Sequence, residues 1–367
     1  MKYQQCNRCI MDTSASNIIF NDDGVCNFCE NLISRHKEGK SNLSKYLSKF
    51  IDKIKVDGKN KKYDCIVGLS GGVDSAYTLN QVMRLGLRPL VVHMDNGWNS
   101  ELANNNIEKI IQAANVDYYT HVIDWNEYKS LMNAFFDADV IDIELLYDNA
   151  MLAVNYRMAA KFGIKYILSG SNITSEGMQM PENWTWMKKD KKNIQSIARR
   201  KNIKIKTFPI IGTFDYLFYR FIKKIEWISF LDYLDYDKSK AMDFLQKNYG
   251  FKPYPYKHYE SVFTRFYQGH LLPTKFNVDK RKLHSSSLIC SNQTTRSQAL
   301  EELESIPYHS SEALNEDKEY FLKKMGWSES QLINYCNRKE KLHSDYGSEK
   351  PFWDFCLKTY QFFFKSP

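Results

Sequence analysis

Two clusters in this chain have residue types and spacings that can do chemistry. The first is Ser70-Gly71-Gly72-Val73-Asp74-Ser75, directly after the apolar run Cys65-Ile66-Val67-Gly68-Leu69. A short buried strand that breaks into paired glycines and then a helix is a device for holding phosphate. The glycines let the backbone approach an anion closely, and successive N–H groups with the helix N-terminus point positive charge at it. Ser70 and Ser75 add hydroxyl donors. Asp74 beside a phosphate calls for a cation between them, which makes it a candidate Mg2+ ligand. No Lys follows the glycines, so this is not the G-x-x-x-x-G-K-[ST] loop that serves γ-phosphoryl transfer. The second cluster is Cys6-x-x-Cys9 with Cys26-x-x-Cys29. Two such pairs read as a tetrahedral Zn2+ site, and four thiolates leave no open position, so its role is structural. The turn Asn21-Asp22-Asp23-Gly24 between the pairs completes a ribbon too poor in apolar residues to fold without its metal.

The elements that must position these clusters follow from composition and pattern. A chain of 367 residues, 43% hydrophobic and 26% charged, has the composition of a soluble globular protein with room for two or three domains. The net charge of +8 suits an anionic substrate and equally suits RNA. No apolar run approaches the roughly 20 residues of a membrane span, and the N-terminus lacks a signal-peptide pattern. The expected location is therefore the cytoplasm, with no membrane partner. From residue 62 the pattern alternates, with strands at 63–69, 90–94, 118–123 and 164–168. Helices fall at 74–85, 100–114, 127–136 and 150–162. That alternation predicts an α/β fold with a doubly wound parallel sheet over 62–180. A zinc ribbon at 1–35 and a connector at 36–61 precede it, and a mainly helical region at 181–367 follows, expected to bind substrate and partner.

In such a sheet the ligand lies across the carboxyl ends of the strands. This singles out Leu69, Ser70, Gly71, Gly72, Asp74 and Ser75 after strand one, and His93 and Asp95 at the end of strand two. Gly170, Ser171 and Asn172 follow strand four. His93 is equally readable as a satisfied buried histidine, and Arg157, on the helix before strand four, as one half of a surface ion pair. S-G-G-x-D-S after a strand resembles the PP-loop of the ATP-pyrophosphatases, which cleave ATP between the α- and β-phosphates and adenylate a carbonyl oxygen. The resemblance implies ATP with Mg2+ at the loop, and adenine and ribose at the end of strand two. It also implies that the strand-four glycine segment and Arg157 lie near the phosphates.

The densest polar chemistry elsewhere is Lys257-His258-Tyr259-Glu260-Ser261-Val262-Phe263-Thr264-Arg265. A helix from about residue 258 would set His258, Ser261 and Arg265 on one face. Lys275, Lys280 and Arg281 follow. With Lys257, these cations could clamp a diphosphate while an aromatic such as Trp184 covers a base or sugar ring; a merely amphipathic pair of helices is the plain alternative. Together with the cysteine pairs and S-G-G-V-D-S, the segments K-H-Y-E-S-V-F-T-R-F-Y-Q, L-L-P-T-K-F-x-x-D-K-R and S-S-S-L-I-C-S-N-Q-T-T-R make residues 3–310 similar to the N-acetyl sugar amidotransferases of surface-polysaccharide biosynthesis. That resemblance implies ATP-dependent conversion of an acetamido group on a nucleotide sugar to an acetamidino group, with ammonia from a separate glutaminase subunit. Cys290, in Leu288-Ile289-Cys290-Ser291, lacks the glycines of a nucleophile elbow, which agrees with a separate glutaminase. Glu176, Glu260 and His258 are candidates for accepting a proton from attacking ammonia. A tRNA thiolase would need paired cysteines near the phosphate loop; Cys65 lies inside the strand and no further C-x-x-C follows, so nucleic acid is not the expected partner. A non-catalytic, nucleotide-regulated RNA-binding ribbon protein is the other rival, and it predicts salt-sensitive RNA binding without AMP release.

Overall fold

A computed structural model describes residues 2–40, 43–254 and 259–364. Helices α1 (Asn27–Lys40) and α2 (Leu43–Asp57) lead from the cysteine ribbon to a five-stranded sheet of order β3-β2-β1-β4-β5, every pairing parallel. Its strands are β1 (Cys65–Gly68), β2 (Pro89–Asp95), β3 (Tyr118–Val122), β4 (Tyr166–Ser169) and β5 (Glu226–Ser229). Between them run α3 (Val73–Arg84), α4 (Glu101–Ala114), α5 (Trp125–Asp137) and α6 (Leu145–Lys161), then α7 (Ile173–Glu176), α8 (Lys191–Arg200) and α9 (Thr213–Leu217). The four expected strands and the four helices between them are present, with ends moved by a few residues. The region at 181–367, expected to be mainly helical, also contributes a strand to the sheet. Helical backbone stops at Ile222, and Trp227 sits on β5, a fifth strand that pairs Ile167 with Trp227.

The pleat divides the core as the period-two pattern requires. Ile66, Leu90, Val92 and Ile167 pack on one face with α5, α6, the ribbon and the C-terminal helices. Cys65, Val67, Val91 and Leu168 pack on the other with α2, α3, α4 and α10 (Lys238–Tyr249). The remaining helices are α11 (Val262–Phe266), α12 (Leu272–Phe276), α13 (Arg281–Cys290), α14 (Arg296–Glu304), α15 (Ser311–Met325), α16 (Glu329–Asn337) and α17 (Lys350–Phe364). A wide π turn at Tyr267–Leu271 joins α11 to α12. The helix expected from 258 begins instead at Val262, because Ser261 is extended and its hydroxyl caps the Thr264 N–H. Among the described residues no helix is long and apolar enough to cross a membrane.

Candidate functional site

At the carboxyl end of β1 the chain builds a preformed turn that could cradle a phosphate. Ser70 N–H donates to Ser75 Oγ at 3.2 Å, Ser75 Oγ donates to the Gly72 carbonyl at 3.0 Å, and the two serine hydroxyls lie 3.2 Å apart. Gly71 holds φ +85°, which a side chain resists, and its carbonyl accepts from Tyr254 Oη at 2.7 Å. The turn after β4 presses backbone to backbone on the start of α3. A Cβ on Gly170 would lie 2.7 Å from both Asp74 C and Ser75 N. His93 supports the cradle from below: its Nδ1 lies 2.7 Å from the Leu69 carbonyl and its Nε2 3.0 Å from the Asn99 amide. Since a carbonyl only accepts, Nδ1 carries the proton and Nε2 accepts. Burial pushes the His93 pKa below its usual value, so the ring is neutral.

Leu69, Ser70, Gly72, Asp74, Ser75, Gly170, Ser171, Glu176 and Glu260 all line one cavity of about 480 Å³. Its apolar wall includes Val92, Met94, Met151, Ile167 and Trp227. Asn155, buried on α6, adds a side-chain oxygen with no hydrogen-bond partner. Three carboxylates, Asp74, Glu176 and Glu260, share this space with one cationic side chain among the described residues, Lys238. A polyphosphate fits such a donor set only if divalent cations neutralise both, and Asp74 stands where it would ligate one. Tyr236 Oη donates to Asp74 Oδ1 and fixes that carboxylate.

A second cavity of about 330 Å³ adjoins the first; Ser175 and Lys238 line both. It is walled by the π turn, through Gln268 and Gly269, and by α13, α14 and the Pro307–Tyr308 segment. Arg265, Lys280 and Arg281 line it, each with a protein carboxylate already in place. Arg265 Nη2 is 2.6 Å from Asp317, Lys280 is 2.8 Å from Glu144 and Arg281 is 2.7 Å from Asp279. Arg281 spends its remaining donors on the Glu302 and Ser305 carbonyls. Gln268, on the cavity wall, donates its amide to Glu144, and its Oε1 is buried without a partner.

Several sequence expectations part from this geometry. Lys275 reaches neither cavity: its side chain is fully buried on Asp139 and the Tyr335 and Arg338 carbonyls, making it a core ion pair. Trp184 is buried against the ribbon, its indole N–H donating to the Ser14 carbonyl. Arg157 is exposed, does not line the first cavity and donates to the Ile210 carbonyl. Asn172 is buried and caps α7 through Ser175 N–H, so it shapes the loop without lining the cavity. Gly71 acts likewise through its backbone. His93 and Asp95 line a separate shallow hollow of about 380 Å³ with Asn104, Tyr118 and Thr120. Lys257 and His258 lie outside the described residues. Lys238, Tyr236, Tyr254 and Asn155 were not foreseen, and no local motif marks them.

The ribbon gathers Cys6, Cys9, Cys26 and Cys29 with all four sulfurs within 4.8 Å of one another, all buried. The Cys6–Cys29 and Cys9–Cys26 sulfurs are 3.9 and 3.8 Å apart, against the roughly 3.8 Å edge of a tetrahedron with Zn–S bonds of about 2.3 Å. Backbone N–H groups of Arg8, Cys9 and Cys26 aim at Cys6 Sγ, as a thiolate acceptor requires. These residues could hold a tetrahedral metal ion. A fifth cysteine, Cys290 at the end of α13, sits 3.6 Å from Cys29 Sγ. Further contacts tie α13 and its neighbours to the ribbon: Lys282 to Asp12 at 2.5 Å, Ile10 N–H to Ser286 Oγ at 3.2 Å, and Arg296 to the Cys6 and Cys9 carbonyls.

No curated protein matches the chain. Among solved structures, an NMN synthetase from Francisella tularensis is 16% identical, with 59% of this chain and 93% of that one covered, at a TM-score of 0.30. An NH3-dependent NAD synthetase from Campylobacter jejuni is 18% identical over 59% of this chain and 98% of that one, at a TM-score of 0.29. A 4-thiouridine synthetase in an RNA complex with bound ATP is 15% identical over 68% of this chain and 53% of that one, again at 0.29. The segment that contributes Arg265, α13 and α14 to the second cavity is similar to a described family: residues 260–360 match the C-terminal domain of WbpG-like LPS biosynthesis proteins.

Proposed function

We propose that the protein is an ATP-dependent amidotransferase acting on an N-acetylated nucleotide sugar. It adenylates the acetamido oxygen and replaces it with ammonia from a partner glutaminase, giving an acetamidino group with release of AMP and pyrophosphate. The observation that carries this is the meeting of two cavities at Ser175 and Lys238: one built on the S-G-G-V-D-S cradle, the other walled by the WbpG-like segment. An acetamide oxygen is a weak nucleophile and a poor leaving group, so ammonia cannot displace it unaided. The arrangement answers this by positioning. The cradle N–H groups and the α3 N-terminus hold the pyrophosphate end. Asp74, oriented by Tyr236, would hold Mg2+, whose charge stabilises the departing pyrophosphate. Glu176 and Glu260, both on the first cavity, are the candidates among the described residues to take the proton that ammonia sheds as its nitrogen bonds the imidate carbon. The four-cysteine ribbon would hold zinc in a structural role.

The test is direct. The protein is incubated with ATP, Mg2+, ammonium and a panel of acetamido and diacetamido nucleotide sugars, with AMP followed by chromatography and the sugar by mass spectrometry. Replacement of one oxygen by NH, in step with AMP, is expected for at least one member. AMP formation that ignores every acetamido sugar, or ADP as the product, would overturn the proposal.

A further inference from the structure

Resting on that adenylation reading, we infer that Lys238 is a catalytic residue: the cation that meets the α-phosphate where the nucleotide and acceptor cavities join. Lys238 is the cationic side chain of the first cavity among the described residues, facing a space that also holds Asp74, Glu176 and Glu260. It lines the second cavity as well. The other strong cations there are neutralised in place: Arg265 by Asp317, Lys280 by Glu144 and Arg281 by Asp279. Lys238 has no such partner among the described residues, and it is half-buried, where an ammonium acts more strongly than in bulk water.

Its position is fixed relative to the cradle. Lys238 opens α10, whose N-cap Asp237 accepts from the Lys240 N–H at 3.0 Å. Two residues earlier Tyr236 donates to Asp74. The same short segment therefore orients the metal-ligand candidate and delivers the ammonium. α10 packs along α3, so neither can drift from the loop without the other.

The chemistry needs a cation at this junction. As the amide oxygen bonds the α-phosphorus, the bond from that phosphorus to the β-bridging oxygen breaks and its electron pair leaves with pyrophosphate. The pyrophosphate is held by the cradle, whereas negative charge on the α-phosphoryl oxygens lies on the acceptor side, beyond the cradle N–H groups. When ammonia has added to the imidate carbon, the carbon–oxygen bond breaks and AMP departs with the electron pair. Lys238 remains protonated throughout and stabilises both transition states by hydrogen bonds to the same phosphoryl oxygens.

The experiment compares wild type with Lys238→Met, of matched length without charge, and Lys238→Arg. Calorimetry measures binding of AMP, pyrophosphate and adenosine, and a coupled assay measures AMP release. Lys238→Met should weaken AMP about 10-fold or more, leave pyrophosphate and adenosine within about 2-fold, and slow AMP release by about 10²–10³. Lys238→Arg should recover part of the AMP affinity. Equal loss of AMP and pyrophosphate affinity, or no loss of either, would overturn the assignment. Lys238-dependent AMP binding in a protein that forms no AMP from any acetamido sugar would sink the amidotransferase proposal and leave the α-phosphate contact standing.

Discussion

Gly170→Ala tests whether the cradle works by close backbone approach. The ideal Cβ would stand 2.7 Å from Asp74 C and Ser75 N and 2.9 Å from the Asp74 carbonyl oxygen. Ordinary contact begins at 3.4 Å, so the turn must retreat by about 0.7 Å, and the obstructing atoms are backbone that cannot swing aside. Overpacking of this kind costs about 1–3 kcal/mol of stability. It also carries the Gly170–Glu176 side of the cavity away from Asp74. A misplacement near 1 Å costs on the order of 10² in rate where geometry is the catalyst, so AMP release should fall by about that factor. Gly72→Ala is the control. Gly72 holds φ −80°, open to alanine, and a Cβ there meets only Ser70 Oγ at 3.5 Å and Glu260 Oε1 at 4.0 Å. That variant should melt like wild type, and any loss of nucleotide affinity in it reports phosphate against the Gly72 face. Both are read by AMP release, nucleotide titration and thermal melts. A Gly170→Ala protein with wild-type turnover and wild-type melting would refute the reasoning.

Lys275→Met should destabilise the fold by about 1–3 kcal/mol, because it takes the donor from the buried Tyr335 and Arg338 carbonyls while Asp139 keeps its ion pair with Arg338, and substrate affinity in the folded fraction stays unchanged; denaturant melts with binding assays separate the two. Metal analysis should find about one zinc per chain, and its removal by a chelator should lower the melting temperature and weaken nucleotide-sugar binding further than AMP binding. His343 supplies a pH signature. Burial lowers its pKa to about 4, and the neutral ring is held between Asn193 Oδ1 and the Asp142 N–H. The unfolded chain takes up this proton near pH 6.5 and the folded chain only near 4, so stability falls as pH drops between those values, by about 3 kcal/mol in all. Urea melts from pH 7 to 4 should show the fall, and His343→Gln should flatten it.

What could be read from the sequence was whatever chemistry is local. The glycines, Asp74 and Ser75 act through a turn of six residues, and the cysteine pairs through knuckles of four, so spacing alone describes them. The parallel sheet was legible because β1, β2 and β4 are buried on both faces and read as apolar runs. β5 was not: Glu226-Trp227-Ile228-Ser229 is half-buried, short, and follows an aromatic stretch with helical spacing. Long cationic side chains were the chief source of error. Lys275 and Arg265 look alike in the sequence, and only partners distant along the chain, Asp139 and Asp317, decide that one is sealed in the core and the other lines a cavity. Lys238 and Tyr236 belong to a segment with no motif, and the packing of α10 on α3 is what brings them to Asp74.

Helix α13 joins parts of the molecule that are far apart in the chain. Its C-terminal thiol touches the cysteine cluster, and Ser291, just past its end, donates to the Thr174 carbonyl at 2.5 Å, beside the Ser175–Glu176 edge of the first cavity. Arg281, His284, Ser285 and Leu288 form a side of the second cavity. A ribbon left empty of metal would loosen its grip on this helix, while the strand–glycine–helix cradle keeps its own hydrogen bonds. Under the proposed function, metal supply would then decide whether the second cavity is finished, ahead of any effect on the cradle, and loss of zinc would be felt first as a loss of discrimination among acceptors.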